Sequence, residues 1–176
     1  MKGIMYNTKY GLNQAVLLGK KTRSWRADSN PRFNCGEIVA IKQSYKQLIT
    51  AQPKEWLYEK GLLANMPIEG EIVPLAYLLS AGYRNKMFVR NNLMPHHIRI
   101  TKVTPCLLQD ISDLDCIKEG IAFIDDINKF YFECKDEGFY FYTPREAFAC
   151  LIDKLNGKGY FGSNPLGYAY EFELIN

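Results

Sequence analysis

Strand-like stretches in this chain of 176 residues are short and unevenly spaced, and few helical patterns long enough to cross a sheet stand between them. A parallel strand pair needs a connection of about a dozen residues or more, usually a helix, whereas an antiparallel pair needs only a turn. A doubly wound α/β fold therefore does not fit. The pattern predicts an α+β fold with a curved, mostly antiparallel sheet. The 12 Tyr and 10 Phe favour strands, because aromatic side chains pack well on a pleated surface. The length suits one domain, residues 1–176, carrying an insertion. It is enough to bury a core without disulfides or metal.

Turn and capping residues divide the chain. Lys2–Tyr6 reads as a first strand, and Asn7 or Thr8 as the cap of a helix through Leu18, with Gly19 as its stop. Thr22–Arg26 alternates as a strand, and Glu37–Lys42 is a second with Ile38, Val39, Ala40 and Ile41 in a row. Tyr45–Tyr58 reads as one or two short helices broken at Pro53, and Ile68-Glu69-Gly70 as a turn. Residues 44–85 as a whole are expected to be an insertion over the domain surface. Ile98–Val103 is a strand. Ser112, followed three residues later by Asp115, caps a short helix over Asp113–Glu119 that Gly120 ends. Phe130–Cys134 and Phe139–Tyr142 flank Asp136-Glu137-Gly138 as a hairpin. Thr143-Pro144-Arg145-Glu146 is the clearest signature: a capping threonine, proline at the first helical position and a glutamate that closes the box. Gly157 ends that helix, and Tyr168–Ile175 is a final strand.

The net charge is only +3, but its distribution is uneven. Between Leu18 and Arg32 stand Lys20, Lys21, Arg23, Arg26 and Arg32 against Asp28, while residues 109–153 hold eleven acids against four bases. The basic segment is placed to attract a phosphate-bearing ligand that the acidic half would repel. The five cysteines include no C-x-x-C pair. With no apolar leader in Met1–Lys9 and no apolar run of membrane-spanning length, they read as reduced thiols in a cytoplasmic protein with no membrane partner. His96-His97 is a poor metal site: neighbours on a strand point to opposite faces, and no nearby Cys or acid completes a ligand set. No metal and no cofactor are expected.

Gly19-Lys20-Lys21-Thr22-Arg23-Ser24-Trp25-Arg26 resembles the G-x-K-x-x-E-x-R motif of ASCH domains, with Gly19, Lys21 and Arg26 matching and Ser24 at the Glu position. Further segments follow in the order of the longer, phage-type members. They are Asn34-Cys35-Gly36-Glu37, Met94-Pro95 with Arg99-Ile100, Leu107-Leu108-Gln109-Asp110-Ile111-Ser112 with Glu119-Gly120-Ile121, and Asn156-Gly157-Lys158-Gly159, Asn164-Pro165 and Tyr170-Glu171-Phe172-Glu173. The resemblance covers about half the chain and implies a PUA-like antiparallel β-barrel with flanking helices. It also implies a cleft lined by the motif that handles RNA, a nucleotide or a modified nucleoside. One small bacterial branch of the family hydrolyses N4-acetylcytidine with a motif Lys, a motif Thr and a Glu. On this chain those roles fall on Lys21, Ser24 in place of Thr, and Glu119.

An amide hydrolase needs a nucleophile, a group to take its proton and a means of stabilising the oxyanion. Ser24 supplies a hydroxyl, and Lys21 is a base if burial or the nearby Lys20, Arg23 and Arg26 lower its pKa. Glu119 is placed to orient that lysine or to move a proton. Gly19, Thr22, Arg23, Trp25, Arg26 and Asn164 are the candidate ligand contacts, Trp25 either stacking on a base or buried in the core. Three functions follow: an RNA- or nucleotide-binding module, an amidohydrolase on an acylated cytidine, and a ribonuclease. The last lacks an obvious histidine pair, since His96 and His97 are adjacent.

Overall fold

The computed structural model describes residues 1–66, 70–134 and 138–175. In chain order the elements are β1 (Lys2–Ile4), α1 (Leu12–Leu17), β2 (Arg23–Arg26), β3 (Ile38–Ile41), α2 (Tyr45–Ala51), α3 (Lys54–Glu59), β4 (Ala64–Met66), β5 (Gly70–Ile72), α4 (Leu75–Leu78), β6 (His97–Leu107), α5 (Asp113–Lys118), β7 (Ala122–Ile124), β8 (Lys129–Phe132), β9 (Phe139–Phe141), α6 (Pro144–Asn156) and β10 (Leu166–Ile175). The class is α+β. Among the described residues the strand pairings close no barrel.

The chain forms two compact units, Met1–Met5 with Val39–His97 and Tyr6–Ile38 with Ile98–Asn176. In the first, β1 pairs in parallel with β3, Lys2 opposite Val39 and Ile4 opposite Ile41. The stretch read as an insertion, 44–85, lies in this unit and contributes to its core. Tyr45, Leu48, Leu57, Leu62, Val89 and Met94 are buried together there. Pro53 separates α2 from α3 as expected, because a proline disfavours helical conformation in the residue before it. Of the turn expected at Ile68-Glu69-Gly70, Ile68 and Glu69 lie outside the described residues, and Gly70 opens β5.

In the second unit β6, β10 and β2 lie side by side in that order. β2 is antiparallel to β10, with Ser24 opposite Tyr170 and Trp25 opposite Ala169. A separate antiparallel sheet runs β7-β8-β9, so the expected hairpin has a third strand. The tip of that hairpin, Asp136-Glu137, lies outside the described residues. β7 escapes a periodicity reading because three residues cannot establish a period. β6 runs on to Leu107 through Pro105, four residues past the expected end.

The first helix differs from expectation. It covers only Leu12–Leu17, and its cap is Gly11 in the left-handed conformation, φ 62°, with no side-chain hydrogen bond. Asn7 does accept backbone N–H groups, from Lys9 at 2.8 Å and Tyr10 at 3.2 Å. They belong to a turn ahead of the helix, the short-range bonding by which Asn competes with helix formation. Gly11 then redirects the chain. A side chain there would strain the backbone and collide with Glu133.

Local signals at the other helix ends hold. The Ser112 hydroxyl accepts from the N–H of Asp115, and Gly120 ends that helix with φ 104°. The Thr143 hydroxyl accepts from the N–H of Glu146 while the Glu146 carboxylate accepts from the N–H of Thr143, with Pro144 first in the helix. Inward from this cap Ala147, Phe148, Leu151 and Ile152 are buried. Replacing Thr143 by Ala should therefore cost about 1 kcal/mol in urea unfolding, and replacing it by Ser should cost clearly less. Equal losses for the two variants would show that the hydroxyl is not what holds the helix end.

Candidate functional site

Lys21 follows the left-handed stop at Gly19, φ 70°. Both its N–H and that of Lys20 donate to the carbonyl of Ala15, which closes α1 before β2 begins. This turn sends the Lys21 side chain inward, where it is 3% exposed. Glu119 caps the C-terminus of α5 and is 4% exposed. Lys21 Nζ donates to Glu119 Oε2 and to the Glu119 carbonyl oxygen, both at 2.7 Å. One ammonium thus meets a side-chain anion and a helix-end carbonyl that has no partner within the helix.

The other carboxylate oxygen is equally occupied. Oε1 accepts from Arg23 Nη1 at 2.9 Å and from the backbone N–H of Trp25 at 2.6 Å. The strand register explains the second contact. Phe172 N–H donates to the Thr22 carbonyl, so alternation turns the backbone groups of Ser24 and Arg26 toward β10 and those of Trp25 away from it. β2 is the last strand on its side of the sheet, and Glu119 supplies the acceptor that a further strand would have offered. Asp115 lies 3.8 Å from Arg23 Nε and from Lys118 Nζ. Lys118 also reaches Glu171 at 3.4 Å.

Burial holds the Lys21 ammonium below the ordinary lysine value, against the opposing attraction and hydrogen bond of Glu119. Arg26 and Arg23 push in the same direction as burial. Tyr6 stands close by, its ring 6.0 Å from Lys21 Nζ and 5.8 Å from the Arg26 guanidinium. Its phenol is raised far above the ordinary value, chiefly by burial. Nothing in the sequence marks Tyr6, which reads only as the end of the first strand. Asp115 was legible as part of a helix start but not as a partner of Arg23.

The expected residues are brought together unevenly. Lys21, Glu119 and Arg23 form one bonded group. Ser24 is buried on β2 beside them, but its hydroxyl takes no part in the hydrogen bonds to Glu119, and alternation puts its side chain on the face of Arg26 rather than of Arg23. Thr22 enters through its backbone, its N–H donating to the Lys118 carbonyl. Trp25 is core, 8% exposed, its indole N–H donating to the Cys106 carbonyl at 3.3 Å. Asn164 is away from this group: in a left-handed turn, φ 47°, its Oδ1 accepts from the N–H of Gln109 at 2.7 Å. Beside Glu119, Gly120 lines a cleft of about 120 Å³ with Lys20, Gln14, Tyr10, Tyr131 and Glu133. All five cysteines are free thiols. Among the described residues no helix is long and apolar enough to cross a membrane, and no three His, Cys, Asp or Glu gather to hold a metal.

Removing a partner from a buried ion pair costs about 3–5 kcal/mol, because the survivor stays buried and uncompensated. Glu119 has two cationic partners and Lys21 one anionic partner. Glu119→Ala should therefore destabilise the protein by at least about 3 kcal/mol in urea unfolding, and Lys21→Met by clearly less, since Arg23 and the Trp25 N–H still hold the carboxylate. The reverse order would contradict this account of the charges.

Comparison of the chain with family models, curated proteins and solved structures finds no match.

Proposed function

We propose that this chain is an amidohydrolase of the ASCH kind, acting on N4-acetylcytidine or a related acylated nucleoside at a site built on Lys21 and Glu119. The observation that carries the reading is the 2.7 Å contact between these two residues, 98 positions apart. They are the Lys and the Glu on which the resemblance places two of the residues that the hydrolase branch uses. The lowered pKa of Lys21 supports it, since a lysine acts as a base only when it can lose its proton near working pH. Arg23 adds to it by matching the charge of Glu119, so Lys21 can become neutral without leaving the carboxylate uncompensated. A PUA-like barrel, with the sheet of β6, β10 and β2 as part of its wall, belongs to the same reading.

In the proposed reaction neutral Lys21 takes the proton of the Ser24 hydroxyl as Oγ bonds to the acetyl carbonyl carbon. The amide C–N bond breaks, and the leaving amino group of cytosine takes that proton back from Lys21, which Glu119 keeps in position. Water then adds to the acetylated serine with Lys21 again as base, releasing acetate and restoring the hydroxyl. The products are cytidine and acetate.

Purified protein should release cytidine from N4-acetylcytidine, followed by chromatography. Lys21→Ala and Ser24→Ala should each slow release by about 100-fold or more. The base form exists above the pKa of Lys21, and that pKa is lowered. kcat/KM should therefore rise with pH and level off below the ordinary lysine range. Full activity in Lys21→Ala, or no release by the wild-type protein, would sink the reading.

A second reading is favoured by Lys20, which lines the cleft, and by Arg32, both exposed in the basic segment. It is binding of RNA or a nucleotide without turnover. Binding that weakens with salt, and weakens again in Lys20→Ala, would support it.

A further inference from the structure

We propose that the first unit carries a nucleotide site of its own, a pocket that stacks a planar base against aromatic rings and holds its phosphate on Arg90. The pocket measures about 340 Å³, within the roughly 300–1,000 Å³ of small-molecule sites. Tyr45, Tyr77 and Phe88 line it with Arg90 and Ser80.

The walls are fixed from behind. Tyr45 is 3% exposed and packs in the core cluster of this unit. Its hydroxyl accepts from the backbone N–H of Arg90 at 3.1 Å, and its ring meets that of Tyr77 edge-on at 5.0 Å and 74°. Gly82 is buried against it. A Cβ there would come within 2.6 Å of the Tyr45 ring and 3.0 Å of the Phe88 carbonyl oxygen, so glycine is what allows the backbone this close.

The opening is set by three residues in a row. Val89 is buried in the core with an extended backbone, φ −82° and ψ 153°. Phe88, the last residue of the short turn Lys86–Phe88, and Arg90 flank it, and both are exposed. Phe88 is 58% exposed, an unusual position for a large apolar ring. Arg90 is exposed and makes no ion pair among the described residues. It is the single charge on the described lining, which has no carboxylate. Aromatic rings take the face of any base. A guanidinium prefers the paired oxygens of a phosphate. Together they select a nucleotide, free or within a single strand, over an uncharged aromatic or a cation. This inference does not rest on the Lys21–Glu119 reading.

The test is calorimetric titration of the full chain at low salt with CMP, UMP, AMP and GMP, with the matching nucleosides, and with a single-stranded RNA 10-mer. Monophosphates should bind about tenfold or more tightly than nucleosides, and Arg90→Gln should abolish that difference. Phe88→Ala should weaken nucleotide and nucleoside alike by about tenfold. Both side chains are exposed, and the Arg90 bond to Tyr45 uses the backbone, so both variants should keep the wild-type melting curve. Lys21→Met should leave these titrations unchanged, which separates failure here from failure of the hydrolase reading. Tight binding of monophosphates names the free nucleotide as ligand. Binding of the 10-mer alone, with the same loss in both variants, names a nucleotide within a strand. No binding of either at millimolar concentration, binding that both variants leave intact, or indole bound as tightly as CMP would overturn the proposal.

Discussion

One carboxylate organises the second unit. Glu119 receives the Lys21 ammonium, the Arg23 guanidinium and the Trp25 N–H. It thereby joins the end of α5, the turn after α1 and the outer edge of β2. Each of these would otherwise be costly. A helix end leaves carbonyls without partners, an edge strand leaves backbone donors open, and a buried ammonium lacks compensation. Gathering them around one anion removes three penalties at once. It also ties the C-terminal end of so short a helix, Asp113–Lys118, to the neighbouring strand.

The charge balance of this group is what gives it chemical potential. A buried pair of one lysine and one glutamate would hold the lysine proton tightly. Here Arg23 is permanently cationic and bonds the same carboxylate. The group therefore carries one positive charge in excess when Lys21 is protonated, and Asp115, 3.8 Å from Arg23, only partly offsets it. Loss of the Lys21 proton relieves that excess, in the direction that burial already pushes. The same contacts that stabilise the fold thus favour loss of the Lys21 proton, which the proposed hydrolysis requires.

What could be read from sequence was what short-range physics decides. Ser112 and Thr143 cap their helices as expected because a cap is settled within four residues. The break at Pro53 is settled within two. The start of α1 misled because Asn7 bonds equally well to a turn, and Gly11, not the Asn, determines where the helix begins. Glu119 as partner of Lys21 was suggested only by family resemblance. Read locally it is an acid before a glycine stop, and no local rule joins positions 98 residues apart. The pocket of the first unit was illegible for a related reason. Its walls come from Tyr45, from Tyr77 to Gly82, and from Phe88 to Arg90, three stretches with no common period.

Charge density along the chain is a poor guide to which cations are open to a ligand. The segment Leu18–Arg32 is basic enough in sequence to bind phosphate, yet Lys21 and Arg23 are both buried against Glu119. Cations committed to internal partners have already lost the water whose release, together with that of counterions, would favour a phosphate. Arg90 stands in a stretch that also holds Arg84, Lys86, Arg99 and Lys102 with no acid among them, and it is exposed beside three aromatic rings. Attraction of a phosphate depends on a cation's freedom and setting more than on the density of like charges in sequence. By that measure, one exposed guanidinium at an apolar pocket is better placed for a phosphate than Lys21 and Arg23, whose charges are spent on the fold.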